Sequence, residues 1–345
     1  MTLDFSNVNI DGLITHHVGN KIRDEKVILS KKNSEISSNT LEYLIKYFLS
    51  PFKPVDFYNF THSVDIQLNG VYVSINKIFQ NNDEFITESK NLAKLLYESS
   101  SHPKIKGGEF NIVSFNNVIV NGNSVNAIGL FKSENNVPFI KMNENESNYS
   151  IEHEFGFELK GIDKGCIIFN TGNENNYTLL IIDNISGDAQ YWINDFLKLK
   201  SSNDDYNNTK DFMSITKDFV TKQLPEEYEV SKTEKIDFLN RTMNYFKENE
   251  SFDKATFEES VFQDENIINS FREFDNSYRE KNEIESNESF EISNQAVKKQ
   301  SRNFKSILKL DKNFHVYIHG DKELIEKGVE SDGRKYYKIY YERED

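Results

Sequence analysis

Lys298, Lys299, Arg302, Lys305, Lys309 and Lys312 crowd into one stretch near the C-terminus, interrupted only by Asp311. Cations spaced this way suit DNA phosphates. Each phosphate neutralised on a duplex adds about 0.9 to the slope of log affinity against log salt. A blander reading is a solvated sheet edge, where lysines discourage edge-to-edge aggregation. The residue pattern leaves both open. Few other residues have the spacing for chemistry. His16 and His17 are neighbours, and neighbours on a strand point to opposite faces, so a shared metal ion is not expected. The same alternation sets His153 against Glu152 and Glu154. His315 and His319 fall at one strand end and are read as packed or solvent-facing. Cys166 leads the apolar run Ile167-Ile168-Phe169, where a buried thiol is a small, inert hydrophobe. It is the only cysteine, so no intramolecular disulfide forms. Lys106-Gly107-Gly108 is too short to cradle phosphates and reads as a turn. The sequence has no phosphate loop, dinucleotide fingerprint or His-Glu-x-x-His. A binding role is therefore expected over an enzymatic one, with no cofactor and no metal.

The elements that must carry these residues follow from composition and periodicity. At 345 residues, 37% hydrophobic and 13% aromatic, the chain has material for two domains, expected at 1–188 and 189–345. The first reads as helices plus an antiparallel sheet. Strands are expected in 9–29, with Lys21, Arg23 and Lys26 along the second. A helix follows that Asn39 caps, with Glu42 at the reciprocal position. Leu68, Val71, Tyr72, Ile75, Ile78 and Phe79 have helical spacing, and Asp83 caps the next helix. From Gly107-Gly108 the texture turns to short runs at 110–115, 125–131, 139–142, 151–159, 166–169 and 177–182. These predict an antiparallel meander, with Asn121-Gly122 as its tightest turn. The middle of the chain is helical, with a Ser231/Glu234 capping box and an Ile267, Phe271, Phe274, Tyr278 stripe. A helix-turn-helix at that stripe is disfavoured by its acidic flanks. An exposed, mobile connection is expected at 282–291. A small C-terminal β-unit closes the chain, with strands at 306–310, 314–318 and 336–341 and one helical turn at 322–327. The fold class is thus α+β. No apolar stretch approaches the length of a membrane span, so the chain is expected in the cytoplasm. Its formal net charge of -15 opposes non-specific attachment to DNA by the molecule as a whole.

Several segments together resemble one family. They are Tyr58-Asn59-Phe60-Thr61-His62, His102-Pro103-Lys104-Ile105-Lys106-Gly107-Gly108-Glu109 and Asp163-Lys164-Gly165-Cys166-Ile167-Ile168-Phe169-Asn170. Tyr191-Trp192 with Asp195-Phe196-Leu197, and Phe314-His315-Val316-Tyr317-Ile318-His319-Gly320, complete the set. In this order they are similar to the bacterial nucleoid-associated proteins of the YejK/NdpA type. The resemblance implies a protein found with the bacterial chromosome, through duplex DNA or through DNA-bound proteins, and carries no active-site residues. Two expectations follow. The chain touches duplex DNA weakly and without sequence specificity through Lys298–Lys312, or it is an acidic adaptor for DNA-bound chromosome-maintenance proteins. A homodimer is also expected, because a chain so rich in Phe and Tyr leaves an apolar patch.

Overall fold

A computed structural model describes residues 1–146, 148–159, 161–172, 177–184, 191–304, 307–318 and 324–343. The chain forms two compact units, Met1–Ser202 and Asn203–Asp345. The sequence division at 188/189 differs because the segment after Tyr191 supplies a strand to the first unit's sheet.

That unit contains β1 (Leu3–Asp4), β2 (Asn9–Val18), β3 (Val27–Ile28), α1 (Ser38–Leu49), β4 (Phe57–Phe60), α2 (Gly70–Gln80) and α3 (Phe85–Ser99). They are followed by β5 (Gly108–Val120), β6 (Asn123–Ser133), β7 (Val137–Asn145), β8 (Asn148–Gly156), β9 (Lys164–Phe169), β10 (Thr178–Asp183) and β11 (Leu199–Ser201). A nine-stranded antiparallel sheet runs β11-β4-β10-β9-β6-β5-β2-β3, with β1 also on β5. Its strands read as continuous apolar runs because both faces are covered. Ile112, Ile128, Cys166, Ile168 and Leu179 pack under α2 and α3, while Val113, Ala127, Ile167, Phe169 and Leu180 pack under α1. Antiparallel sheets more often leave one face wet and alternate accordingly. Gly129 is required by this packing: a Cβ there would lie 2.3 Å from the Phe131 ring and 2.8 Å from the Phe115 ring. A bulge between Phe115 and Val118 shifts the phase of β5, so Phe115, Val118 and Val120 all face α1.

The expected Asn121-Gly122 turn joins β5 to β6, both residues having positive φ (49° and 82°), as a type I′ hairpin needs. Two helix starts differ from expectation. Ser37, not Asn39, precedes α1. Asn81 rather than Asp83 caps the 3-10 turn Asn82–Glu84 that leads into α3. Lys21 and Arg23 sit on a 3-10 turn, because the Asn20 side chain accepts from the Ile22 and Arg23 N–H groups. The meander also has an excursion. β7 and β8 pair only with each other, as a ribbon outside the sheet, and β6 pairs directly with β9.

The second unit contains α4 (Asp205–Asp218), α5 (Leu224–Glu227), α6 (Lys232–Glu248), β12 (Ser251–Asp253), α7 (Lys254–Val261), α8 (Glu265–Asn282), β13 (Ser289–Glu291) and α9 (Asn294–Gln300). Then come β14 (Ile307–Leu310), β15 (Phe314–Tyr317), β16 (Ile325–Val329) and β17 (Lys335–Ile339). Its core is a cluster of phenylalanines, among them Phe212, Phe219, Phe246, Phe257 and Phe271. The capping box is present: the Glu234 N–H donates to Ser231 Oγ (3.2 Å) and the Ser231 N–H to Glu234 Oε2 (2.8 Å). The 282–291 connection is tied down, since β13 pairs with β12 and Arg279 donates to the Glu285 carbonyl. At the C-terminus the described strands form two hairpins, β14–β15 and β16–β17. Of the helical turn expected at 322–327, Lys322 and Glu323 lie outside the described residues, Leu324 is in a 3-10 conformation, and Ile325–Lys327 instead belongs to β16, which pairs with the tyrosine-rich β17. Cross-strand partners override the helical spacing there.

Candidate nucleic-acid interface

The basic run begins on α9. Ser293 caps this helix, accepting from the Ala296 N–H (3.4 Å), and Ala296 and Val297 turn inward. That leaves Lys298 and Lys299 exposed. The chain then makes a 3-10 turn, Ser301–Phe304, anchored by buried Phe304 and presenting Arg302 to solvent. In β14 the alternation does the same work. Leu308 is buried with Ile236 and Ile318, whereas Lys309 points outward beside His315 on the paired strand. Lys312 stands exposed in the turn that follows Asp311, whose φ is 52°. Lys305 lies outside the described residues, as do Ser306, His319, Gly320, Asp321 and Lys322. Lys298, Arg302, Lys309 and Lys312 enter no ion pair among the described residues. Their charge is therefore not neutralised locally.

One cation was not legible as a neighbour of this run. Lys210 on α4 lies 6.0 Å from the centre of the Tyr206 ring, and Lys299 lies 5.8 Å from the same ring. The aromatic face lowers the cost of bringing two ammonium groups together. The only hint in the sequence is Tyr206 four residues before Lys210, at helical spacing.

A second group of charges, with Lys132, Glu134 and Lys164 buried and Asp183 at its edge, lies at one end of the first unit's sheet. Lys132 and Lys164 are paired across β6 and β9, and Asp183 is paired with Lys164 across β10. Like charges opposite each other destabilise a sheet, so this row needs compensation. Lys132 Nζ lies 3.1 Å from Glu134 Oε1 and donates to the Lys106 carbonyl (2.7 Å) and to Tyr191 Oη (3.1 Å). The Tyr191 hydroxyl donates in turn to Glu134 Oε1 (3.0 Å). Lys164 pairs with Asp183 at 2.6 Å, and both ammonium groups lie over the Tyr191 ring, at 5.4 and 5.1 Å. Asp163 accepts the Glu134 and Asn135 N–H groups. Burial lowers the Lys132 pKa against the opposing pull of Glu134, and burial followed by the Glu134 charge raises that of Tyr191. The cluster locks strand ends together, and its polar atoms are spent on one another. Lys132 was missed because the apolar run of β6 reads as ending at Phe131.

The histidines behave as alternation requires. His16 is buried, its Nδ1 accepting the Ser30 N–H (3.0 Å) and its Nε2 3.1 Å from Ser89 Oγ, while His17 faces Glu109 (3.6 Å). His153 lies across the ribbon from Ile140, on the face opposite Glu152 and Glu154. Cys166 is buried, and burial alone pushes its thiol up.

Three segments that carried the family resemblance meet in the buried cluster: Lys106, the Asp163-Lys164 pair and Tyr191. A fourth forms β4, beside β10. A comparison with curated proteins finds no match. The family model of the nucleoid-associated protein YejK matches residues 14–336, which reaches from β2 into β17 and so takes in both units. With that match over most of its length, the chain belongs to the nucleoid-associated protein YejK family.

Proposed function

We propose that this nucleoid-associated chain acts in the cytoplasm by binding rather than catalysis, touching duplex DNA weakly and without sequence preference. The contact surface is Lys298, Lys299, Arg302, Lys309 and Lys312, with Lys305 in the same run. The observation that carries this reading is that α9, the 3-10 turn and β14 turn Ala296, Val297, Phe304 and Leu308 inward and leave Lys298, Lys299, Arg302 and Lys309 exposed, with Lys312 exposed in the turn that follows. Flexible cations with no base-reading partner bind phosphates and carry no sequence information. Fluorescence anisotropy with two unrelated duplexes across a salt series tests it. Affinities should match on both duplexes and fall steeply with salt. Lys298→Glu/Lys299→Glu/Arg302→Glu should weaken both equally and flatten the slope by roughly 3. Unchanged binding by this variant sinks the surface.

A formal charge of -15 favours a second reading, an acidic adaptor for basic, DNA-bound chromosome-maintenance proteins. Partners that stay with the chain in a pull-down after nuclease treatment support the adaptor. Their complete loss supports direct DNA contact.

A further inference from the structure

The β7–β8 ribbon has two unlike faces. Directly opposed residues on paired strands share a face, and the register Phe139↔Glu154, Lys141↔Glu152 and Asn143↔Ser150 makes one of them polar. The other carries Pro138↔Phe155, Ile140↔His153, Met142↔Ile151 and Glu144↔Tyr149. On it Ile140, Met142, Tyr149, Ile151 and Phe155 are each 64–69% exposed. A contiguous apolar row of this kind is rare on a monomer's surface and marks an interaction site.

Charge narrows the occupant. Glu144, Glu146, Glu152 and Glu154 line the ribbon against a single lysine, Lys141, which is already paired with Glu154 at 3.0 Å. Phosphate-bearing partners, DNA or an anionic lipid surface, are repelled. A second copy of the same face is repelled far less, because Glu152 and Glu154 lie on the opposite face and only Glu144 shares the contact. Area agrees. Five large side chains at this exposure offer on the order of 600 Å² per copy and about 1,200 Å² for two, the lower end of a standard stable interface. Orientation follows from Glu144, the one carboxylate on the apolar face, which sits beside the turn. Antiparallel stacking puts the two Glu144 groups at opposite ends, about 20 Å apart and beyond the Debye length of about 8 Å. Parallel stacking would bring them together.

We propose that two copies of this chain associate through the apolar faces of their β7–β8 ribbons, stacked antiparallel about a two-fold axis. The inference is independent of the DNA surface, which lies in the other unit. Sedimentation equilibrium on the full chain tests it. The wild-type chain should be a dimer, and Met142→Glu/Ile151→Glu should halve the mass with unchanged circular dichroism, since both side chains are exposed. A second arm uses cysteine, because Cys166 is buried. A bifunctional thiol reagent that spans the roughly 10 Å between stacked sheets should trap Met142→Cys as a covalent dimer and leave Asn143→Cys, on the polar face, uncrosslinked. A monomeric wild-type chain, a dimer untouched by the glutamates, or equal crosslinking from both faces would each overturn the proposal.

Discussion

Lys132 is the residue on which the buried charge row depends. Its ammonium neutralises Glu134 and donates to a carbonyl and to Tyr191. Removing one partner of a buried pair leaves the other charged and dry, which costs about 3–5 kcal/mol, whereas replacing both by apolar groups of similar volume is often neutral. Lys132→Ala should therefore lower unfolding stability in urea by that amount, and Lys132→Met/Glu134→Leu should recover most of it. His16 gives a pH-dependent contribution. Burial, with Lys90 adding to it, lowers its pKa to about 4. An unfolded histidine titrates near 6.5, so between those values the unfolded chain binds the extra proton. The contribution of neutral His16 is complete above the unfolded value and is lost as pH falls toward 4. By about pH 5.5 the loss is roughly 1 kcal/mol. Urea midpoints at the two ends of that window should show it, and His16→Gln should remove it.

At the scale of elements, α6 depends on its start. Ser231 and Glu234 satisfy each other's N–H groups there, and Ser231→Ala should cost about 1 kcal/mol in the unfolding transition of the second unit. This cap was legible because its chemistry is local: two residues at fixed spacing supply both partners. The Asn121-Gly122 turn and the stripes of α2 and α8 were legible for the same reason. Illegible elements take their identity from distant partners. Ile325–Val329 has helical spacing yet becomes a strand against Tyr336 and Tyr337. The β7 and β8 runs resemble those of their neighbours, and nothing in them says that they leave the sheet. Of the candidate site, the cations were readable, but Lys210 joins them only through Tyr206.

At the scale of the whole molecule, a net charge of -15 coexists with one exposed basic run. If the basic run meets DNA as proposed, the long-range field would oppose the approach while the local contact would favour it, and salt would screen both. Weak binding would follow from that proposal. Two linked copies would present two such runs, and tethered binding raises avidity without a new contact. The sequence contains a single tryptophan, Trp192, which is buried in the first unit among Phe110 and Phe196. The Asn203–Asp345 unit has none. Fluorescence excited at the red edge of indole absorption therefore follows the melting of one unit alone, while circular dichroism follows both. Transitions that fail to coincide between these probes would show the units unfolding independently, so the chain carries a built-in optical label for half of itself.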